Sequence, residues 1–112
     1  MALELARIIY FTGKMDALTT FYRDVLGLDL IRDEAGWKEF RAGGCIIALH
    51  KGAAAKPSRG PKIAFYASDV ATTVAELTAR GAAMGKLQQS PDVTFCDGQD
   101  LDGNVFSISN RQ

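Results

Sequence analysis

The chain predicts an α+β fold built from two copies of a strand-helix-strand-strand-strand module. Three observations point there. Ile8-x-Tyr10 and Ile63-x-Phe65 open two similar stretches, and Gly27 and Gly81 close the helical run of each, an offset of 54 to 55 residues. A sustained internal period of this kind marks repeated supersecondary units. The stretches between helices alternate apolar and polar residues with period two, as half-buried strands do. Finally, Asp100-Leu101-Asp102-Gly103-Asn104 is an acidic turn in which Gly and Asn accept positive φ. It leads into Val105 to Ser109, where Phe106 and Ile108 share one face and Val105, Ser107 and Ser109 the other.

In chain order, Leu5 to Thr12 is the first strand, rich in Ile and aromatics. Gly13 ends it, and Asp16 is the expected N-cap of a helix over Ala17 to Leu26. Leu18, Phe21, Tyr22, Val25 and Leu26 recur at helical spacing and form its buried stripe. Gly27 suits the left-handed C-terminal cap. Three strands follow: Leu28 to Asp33, Trp37 to Arg41 and Cys45 to His50, parted by Glu34-Ala35-Gly36 and Gly43-Gly44. The stretch 51–61, with Gly, Ala, Ser, Pro and charge but no apolar periodicity, reads as a linker. The second module then runs through a strand at Lys62 to Ala67 and a helix from Val70 to Arg80 capped by Ser68 or Asp69. A weak strand at Ala82 to Gln89, a strand at Asp92 to Asp97 and the closing strand at Asn104 to Asn110 complete it. One domain of 112 residues is expected, with modules at about 4–50 and 62–110.

Alternation divides each sheet. The face that packs on a helix collects Ile8, Tyr10, Phe40, Ile47, Leu49, Ile63, Phe65, Phe95, Phe106 and Ile108. The opposite face collects Arg7, Ile9, Phe11, Trp37, Glu39, Arg41, Ile46, Ala48 and His50 in the first module. In the second it collects Lys62, Ala64, Tyr66, Thr94, Cys96, Val105, Ser107 and Ser109. Such a mixed face suits a sheet curled into a half-open cup with apolar walls and a few polar groups. By this parity Cys45 and Cys96 face opposite ways, which argues against a bridge, as does their wide separation.

Composition narrows the function classes. Formal net charge is zero, with 13 Lys plus Arg against 13 Asp plus Glu, so nothing favours nucleic acid or a membrane surface. No apolar run reaches spanning length and no signal-peptide pattern is present, so a cytoplasmic location is expected.

Phe21-Tyr22-Arg23-Asp24-Val25-Leu26-Gly27 and the Asp100-to-Asn104 turn, read together, resemble the glyoxalase/bleomycin-resistance/extradiol-dioxygenase superfamily, the vicinal oxygen chelate proteins. Those carry an F-Y-x-x-x-L-G helix end and a D-P-D-G-N turn before the last strand; here Leu101 stands in place of Pro. The resemblance covers nearly the whole chain and implies paired βαβββ modules. It also implies a divalent ion held by His, Gln or Glu at four inward-facing positions, two per module. Carried across, those positions fall on Arg7, Ala48, Lys62 and Ser107. Arg and Lys are cationic, Ala has no donor and Ser alone is a poor ligand, so no metal and no other cofactor is expected.

Arg7 and Lys62 would lie close together across the pseudo-twofold, with Glu39 as the nearest carboxylate. Two readings stay open: an anion-binding pair, or a salt-bridge cluster that replaces the metal structurally. Phe11, Trp37 and Tyr66 would line an aromatic wall. The expected ligand-binding set is therefore Arg7, Phe11, Trp37, Glu39, Lys62, Tyr66 and Ser107, taking a small anionic or aromatic molecule. The alternative is a lyase, isomerase or dioxygenase with an atypical site. His50 reads as exposed and structural, and Cys96 as a packed thiol without an activating base. The acidic turn lacks calcium-loop spacing. A homodimer is expected, because cup-shaped members of the family pair their modules across chains.

Overall fold

A computed structural model describes residues 5–53 and 62–111. The chain divides into two compact units, Met1–Lys56 and Pro57–Gln112. Of the stretch 51–61 read as a linker, Lys51 belongs to a strand and residues 54–61 lie outside the described residues.

The N-terminal unit holds β1 (Arg7–Thr12), α1 (Met15–Thr20), β2 (Asp29–Glu34), β3 (Trp37–Ala42) and β4 (Cys45–Lys51). Its sheet has the order β1-β4-β3-β2, with β1 parallel to β4 and the other neighbours antiparallel. A parallel pair needs a long crossover, and α1, β2 and β3 supply it. Helix α1 begins at Met15, ahead of the expected start. Asp16 is not its cap: Lys14 holds that place without a side-chain hydrogen bond, and the Lys14 N–H donates instead to Thr12 Oγ1 at 2.9 Å. Asp16 lies in the first turn, where its charge still favours the helix dipole. The helix then widens into a π-type turn over Phe21–Val25, in which the Leu26 N–H donates to the Phe21 carbonyl at 3.0 Å. Gly27, at φ 74°, makes the left-handed exit its sequence position predicts.

Leu18, Phe21 and Tyr22 are buried over the sheet face that carries Phe40, Ile47 and Leu49, and the Tyr22 and Phe40 ring centres lie 5.8 Å apart. Each such side chain contributes about 1.5–3 kcal/mol of burial.

The C-terminal unit repeats the plan. It holds β5 (Ile63–Tyr66), α2 (Val70–Ala79), β6 (Ala83–Met84), β7 (Gln88–Gln89), β8 (Thr94–Gln99) and β9 (Val105–Ser109). The order is β5-β9-β8-β6, with β5 parallel to β9, β8 antiparallel to β9, and β7 also paired to β8. Asp69 is the cap of α2. Its carboxylate accepts the Thr72 N–H at 3.0 Å and the Thr72 hydroxyl at 2.9 Å, which holds its pKa below the ordinary carboxylate value. Gly81 at φ 99° ends the helical run. The weak strand expected over Ala82 to Gln89 is two short pieces, because the chain leaves the β8 ladder between Gly85 and Leu87.

The acidic turn is built on Asp100, which is buried. Its Oδ1 accepts the Asp102 and Asn104 N–H groups at 2.9 and 2.8 Å, and its Oδ2 accepts the Asn104 side-chain amide at 2.7 Å. Gly103 sits at φ 83°. Turn formation accounts for these residues, and Leu101 is exposed on the turn.

The parity expected for β8 is reversed. Cys96 lies opposite Ile108 and Gly98 opposite Phe106, so Cys96 belongs to the helix-covered face and Phe95 to the other, with Asp97. Cys96 is fully buried. Gly98 fixes this register: a Cβ there would stand 2.9 Å from Phe106 Cζ and 2.6 Å from Met84 Sδ. Only glycine permits that approach without displacing its neighbours. The expectation that Cys45 and Cys96 take opposite parity fails for the same reason; both are free thiols. Two mixed sheets, neither closed, with few helices make this an α+β fold. Among the described residues no helix is long and apolar enough to cross a membrane.

Candidate functional site

In the N-terminal unit the face away from α1 is a grid of three cross-strand rows, read in the order β1, β4, β3, β2. Arg7, Ile46, Arg41 and Asp29 form the first row; Ile9, Ala48, Glu39 and Arg32 the second; Phe11, His50, Trp37 and Glu34 the third. Charge occupies one end and aromatic rings the other. Glu39 ties the rows together. Its carboxylate lies 3.6 Å from Arg7 Nε and 3.6 Å from Arg32 Nε, and Oε2 accepts the Trp37 indole N–H at 2.9 Å. The Glu39 side chain is 10% exposed, against 41% and 57% for Arg7 and Arg32, so the acid is the buried hub and the guanidiniums are its half-solvated lids. A carboxylate buried this far requires such answering groups. His50 is exposed, as expected. Its ring sits 5.1 Å from Phe11 and 5.6 Å from Trp37, and its Nδ1 lies 2.8 Å from the Lys51 carbonyl.

The C-terminal unit carries the matching grid, read in the order β5, β9, β8 and the β6–β7 edge. Lys62 flanks Val105, Gln99 and Ala83; Ala64, Ser107 and Asp97 follow; Tyr66, Ser109, Phe95 and Gln88 close it. Lys62 Nζ donates to both Asp97 oxygens at 3.1 Å and stands 5.5 Å from the Phe95 ring centre. The two open faces therefore repeat one motif: a cation at the start of the first strand or just before it, a carboxylate in the middle of the third strand across the sheet, and an aromatic two residues before that carboxylate.

All seven expected residues fall on these faces. Arg7, Phe11, Trp37 and Glu39 come together in the N-terminal unit, and Lys62, Tyr66 and Ser107 share a face in the C-terminal unit. Lys62, for which Glu39 was the expected partner, pairs with Asp97 of its own unit. Asp97 and Arg32 are the site residues that sequence reasoning missed. The signal for Asp97 is Trp37-x-Glu39 recurring as Phe95-x-Asp97, an offset of 58 residues. Cys96 is no cup residue. Its thiol contacts the Gly85 carbonyl at 3.4 Å, and burial, with the Asp97 charge beside it, raises its pKa above 9.0.

A family model described as the glyoxalase/bleomycin resistance protein/dioxygenase superfamily matches residues 4–108. The chain belongs to this superfamily. Solved structures with the same fold include a mutant of the genomically encoded fosfomycin resistance protein FosX from Listeria monocytogenes, complexed with Mn(II) and 1S,2S-dihydroxypropylphosphonic acid. Its TM-score is 0.84 at 18% identity, covering 100% of this chain and 93% of that one. A lactoylglutathione lyase from Agrobacterium tumefaciens gives 0.76 at 21% identity, covering 95% and 92%. A glyoxalase/bleomycin resistance protein from a Streptomyces species gives 0.76 at 22%, covering 94% and 98%. At these identities the likeness is one of fold. No curated protein sequence matches the chain.

Metal-using members of the superfamily set the terms for the four positions. Here they present a guanidinium, a methyl group, an ammonium and one hydroxyl, at Arg7, Ala48, Lys62 and Ser107. This donor set does not fit a divalent cation, which takes carboxylate, imidazole or amide groups from several residues. The carboxylates nearest those positions, Glu39 and Asp97, are engaged by the cations themselves. Among the described residues no three His, Cys, Asp or Glu side chains are grouped as a cation would need.

Proposed function

We propose that this superfamily member binds a small aromatic or anionic molecule on the open faces of its sheets, without the metal that serves other members. The reading rests on one observation: at each first-strand ligand position stands a cation already paired with a carboxylate, Arg7 with Glu39 and Lys62 with Asp97. The charge that a metal would bring is built into the protein. Arg7 and Lys62 keep 41% and 45% of their side chains exposed, so each can donate to an incoming anion while still paired. The aromatic rows of Phe11, His50 and Trp37, and of Tyr66 and Phe95, give planar ligands a surface to stack on. A homodimer is part of the proposal, supported by the exposure of Ile9, Phe11 and Tyr66 on the open faces.

Trp37 is the one tryptophan and reports directly on the site. Titration with small aryl carboxylates and phosphonates should change its fluorescence saturably, and Arg7→Ala should weaken the response about tenfold or more. Silence across such a panel would remove the binding reading. Elemental analysis that finds a stoichiometric zinc, nickel, iron or manganese would overturn the metal-free reading and return the protein to lyase, isomerase or dioxygenase chemistry.

A further inference from the structure

The two open faces differ in one respect that points to a second ligand chemistry. Glu39 lies between two cations, Arg7 from the β1 flank and Arg32 from the β2 flank. Asp97 has Lys62 from the β5 flank, and toward the β6 flank it opens on a recess of about 430 Å³ lined by Ala83, Met84, Gly85, Gly98, Gln99 and Val105. The residue that matches Arg32 by the 54-residue offset is Lys86, which is exposed and does not line the recess. Where Arg32 fills the N-terminal face, small residues leave the C-terminal face hollow.

The acceptor capacity is there as well. Each carboxylate oxygen can take about two hydrogen bonds, and Lys62 takes one at each Asp97 oxygen. The Asp97 side chain is 40% exposed, so the remaining acceptor positions are accessible. Around it Val105, Ala83 and the two glycines give an otherwise apolar wall, with the Gln99 amide as a second polar group; the Met84 side chain turns to the other face with Phe106. A recess of a few hundred Å³ with one carboxylate and apolar walls is the size and character of a small-molecule subsite.

We infer that this recess binds an organic cation, a primary ammonium or guanidinium carried on a short apolar body, which occupies on Asp97 the place that Arg32 holds on Glu39. The cationic head bridges to the acceptor positions of the carboxylate left over by Lys62, and the body packs on Val105 and Ala83. The inference shares Asp97 with the proposed function, which uses its pair with Lys62, but not the rest of the recess; loss of the cation response with the Trp37 response to anions intact, or the reverse, separates the two.

The test is a titration of the full chain with benzylammonium and benzylguanidinium, followed through the backbone amide resonances of Gly85, Gly98 and Gln99, with benzyl alcohol and benzoate as matched controls. The cations should give saturable shifts at these amides and the controls none. Asp97→Asn should weaken cation binding about tenfold or more, since it removes the charge that pairs with the head. Val105→Trp fills the recess from β9 while leaving the Asp97 and Lys62 pair, and should abolish the shifts. Lys86→Ala should leave them unchanged. Equal response to benzyl alcohol, absence of any response, or binding that emerges only in the Lys86→Ala protein would overturn the inference. In the last case Lys86 itself supplies the second cation.

Discussion

The N-terminal and C-terminal units share one strand order and one motif, yet they differ in how the central carboxylate is held. Glu39 is 10% exposed, bonded by an indole and flanked by two guanidiniums. Asp97 is 40% exposed and, among the described residues, is paired with Lys62. The same plan thus yields a closed ion cluster in one unit and an open one in the other. Burial, more than the presence of an ion pair, decides whether such a group governs stability or is free to meet a ligand.

That contrast can be tested by substitution, and the largest effect should come from beneath the faces. Phe40 is wholly buried in the N-terminal unit, and Phe40→Ala should cost about 3–5 kcal/mol in urea unfolding. Phe65, half-buried on β5 of the C-terminal unit, should cost roughly half as much. Equal losses would mean that the two cores are equally packed. Next, Glu39→Gln should cost about 2 kcal/mol, because it strands two guanidiniums and weakens the Trp37 acceptor. Asp97→Asn should cost under about 1 kcal/mol. A reversal of that order would remove the distinction between closed and open clusters.

A smaller, pH-dependent effect belongs to α2 alone, since α1 has no side-chain cap. The folded pKa of Asp69 is depressed below 3.8 by its Thr72 hydrogen bonds, so its contribution is fully present above that value and is lost as pH falls through the folded pKa. Asp69→Ala should therefore be less stable than the parent at neutral pH, with the gap closing at acid pH. A gap that persists unchanged through acid titration would show that the carboxylate charge is not what the cap uses. The smallest perturbation is chemical. In the native protein at pH 8, Ellman's reagent should react with half-buried Cys45 and leave Cys96 nearly untouched until denaturant is added.

Most of the N-terminal face could be read from the chain. Arg7, Trp37 and Glu39 occupy strands with clear alternation, bounded by Gly36 and Gly43-Gly44, so parity leaves each only one side to face. Arg32 escaped that reading because the β2 ladder shifts register between Leu30 and Arg32, and a bulge moves a residue to the other face. In β8, Phe95 and Cys96 are both apolar and adjacent, so either could be the buried one. Reading the strand as ending at Asp97 also left out Gly98, the residue that decides the matter.

The repeat, the helix ends at Gly27 and Gly81, the acidic turn at Asp100 and the cations at Arg7 and Lys62 are properties of the linear chain. They depend on local conformational preference and on the kind of side chain at each spacing. Which carboxylate answers which cation, and where a hollow is left, depended on cross-strand register. A shift of one residue turns a whole strand over, and only the packing of Phe106 onto Gly98 selects between the two settings.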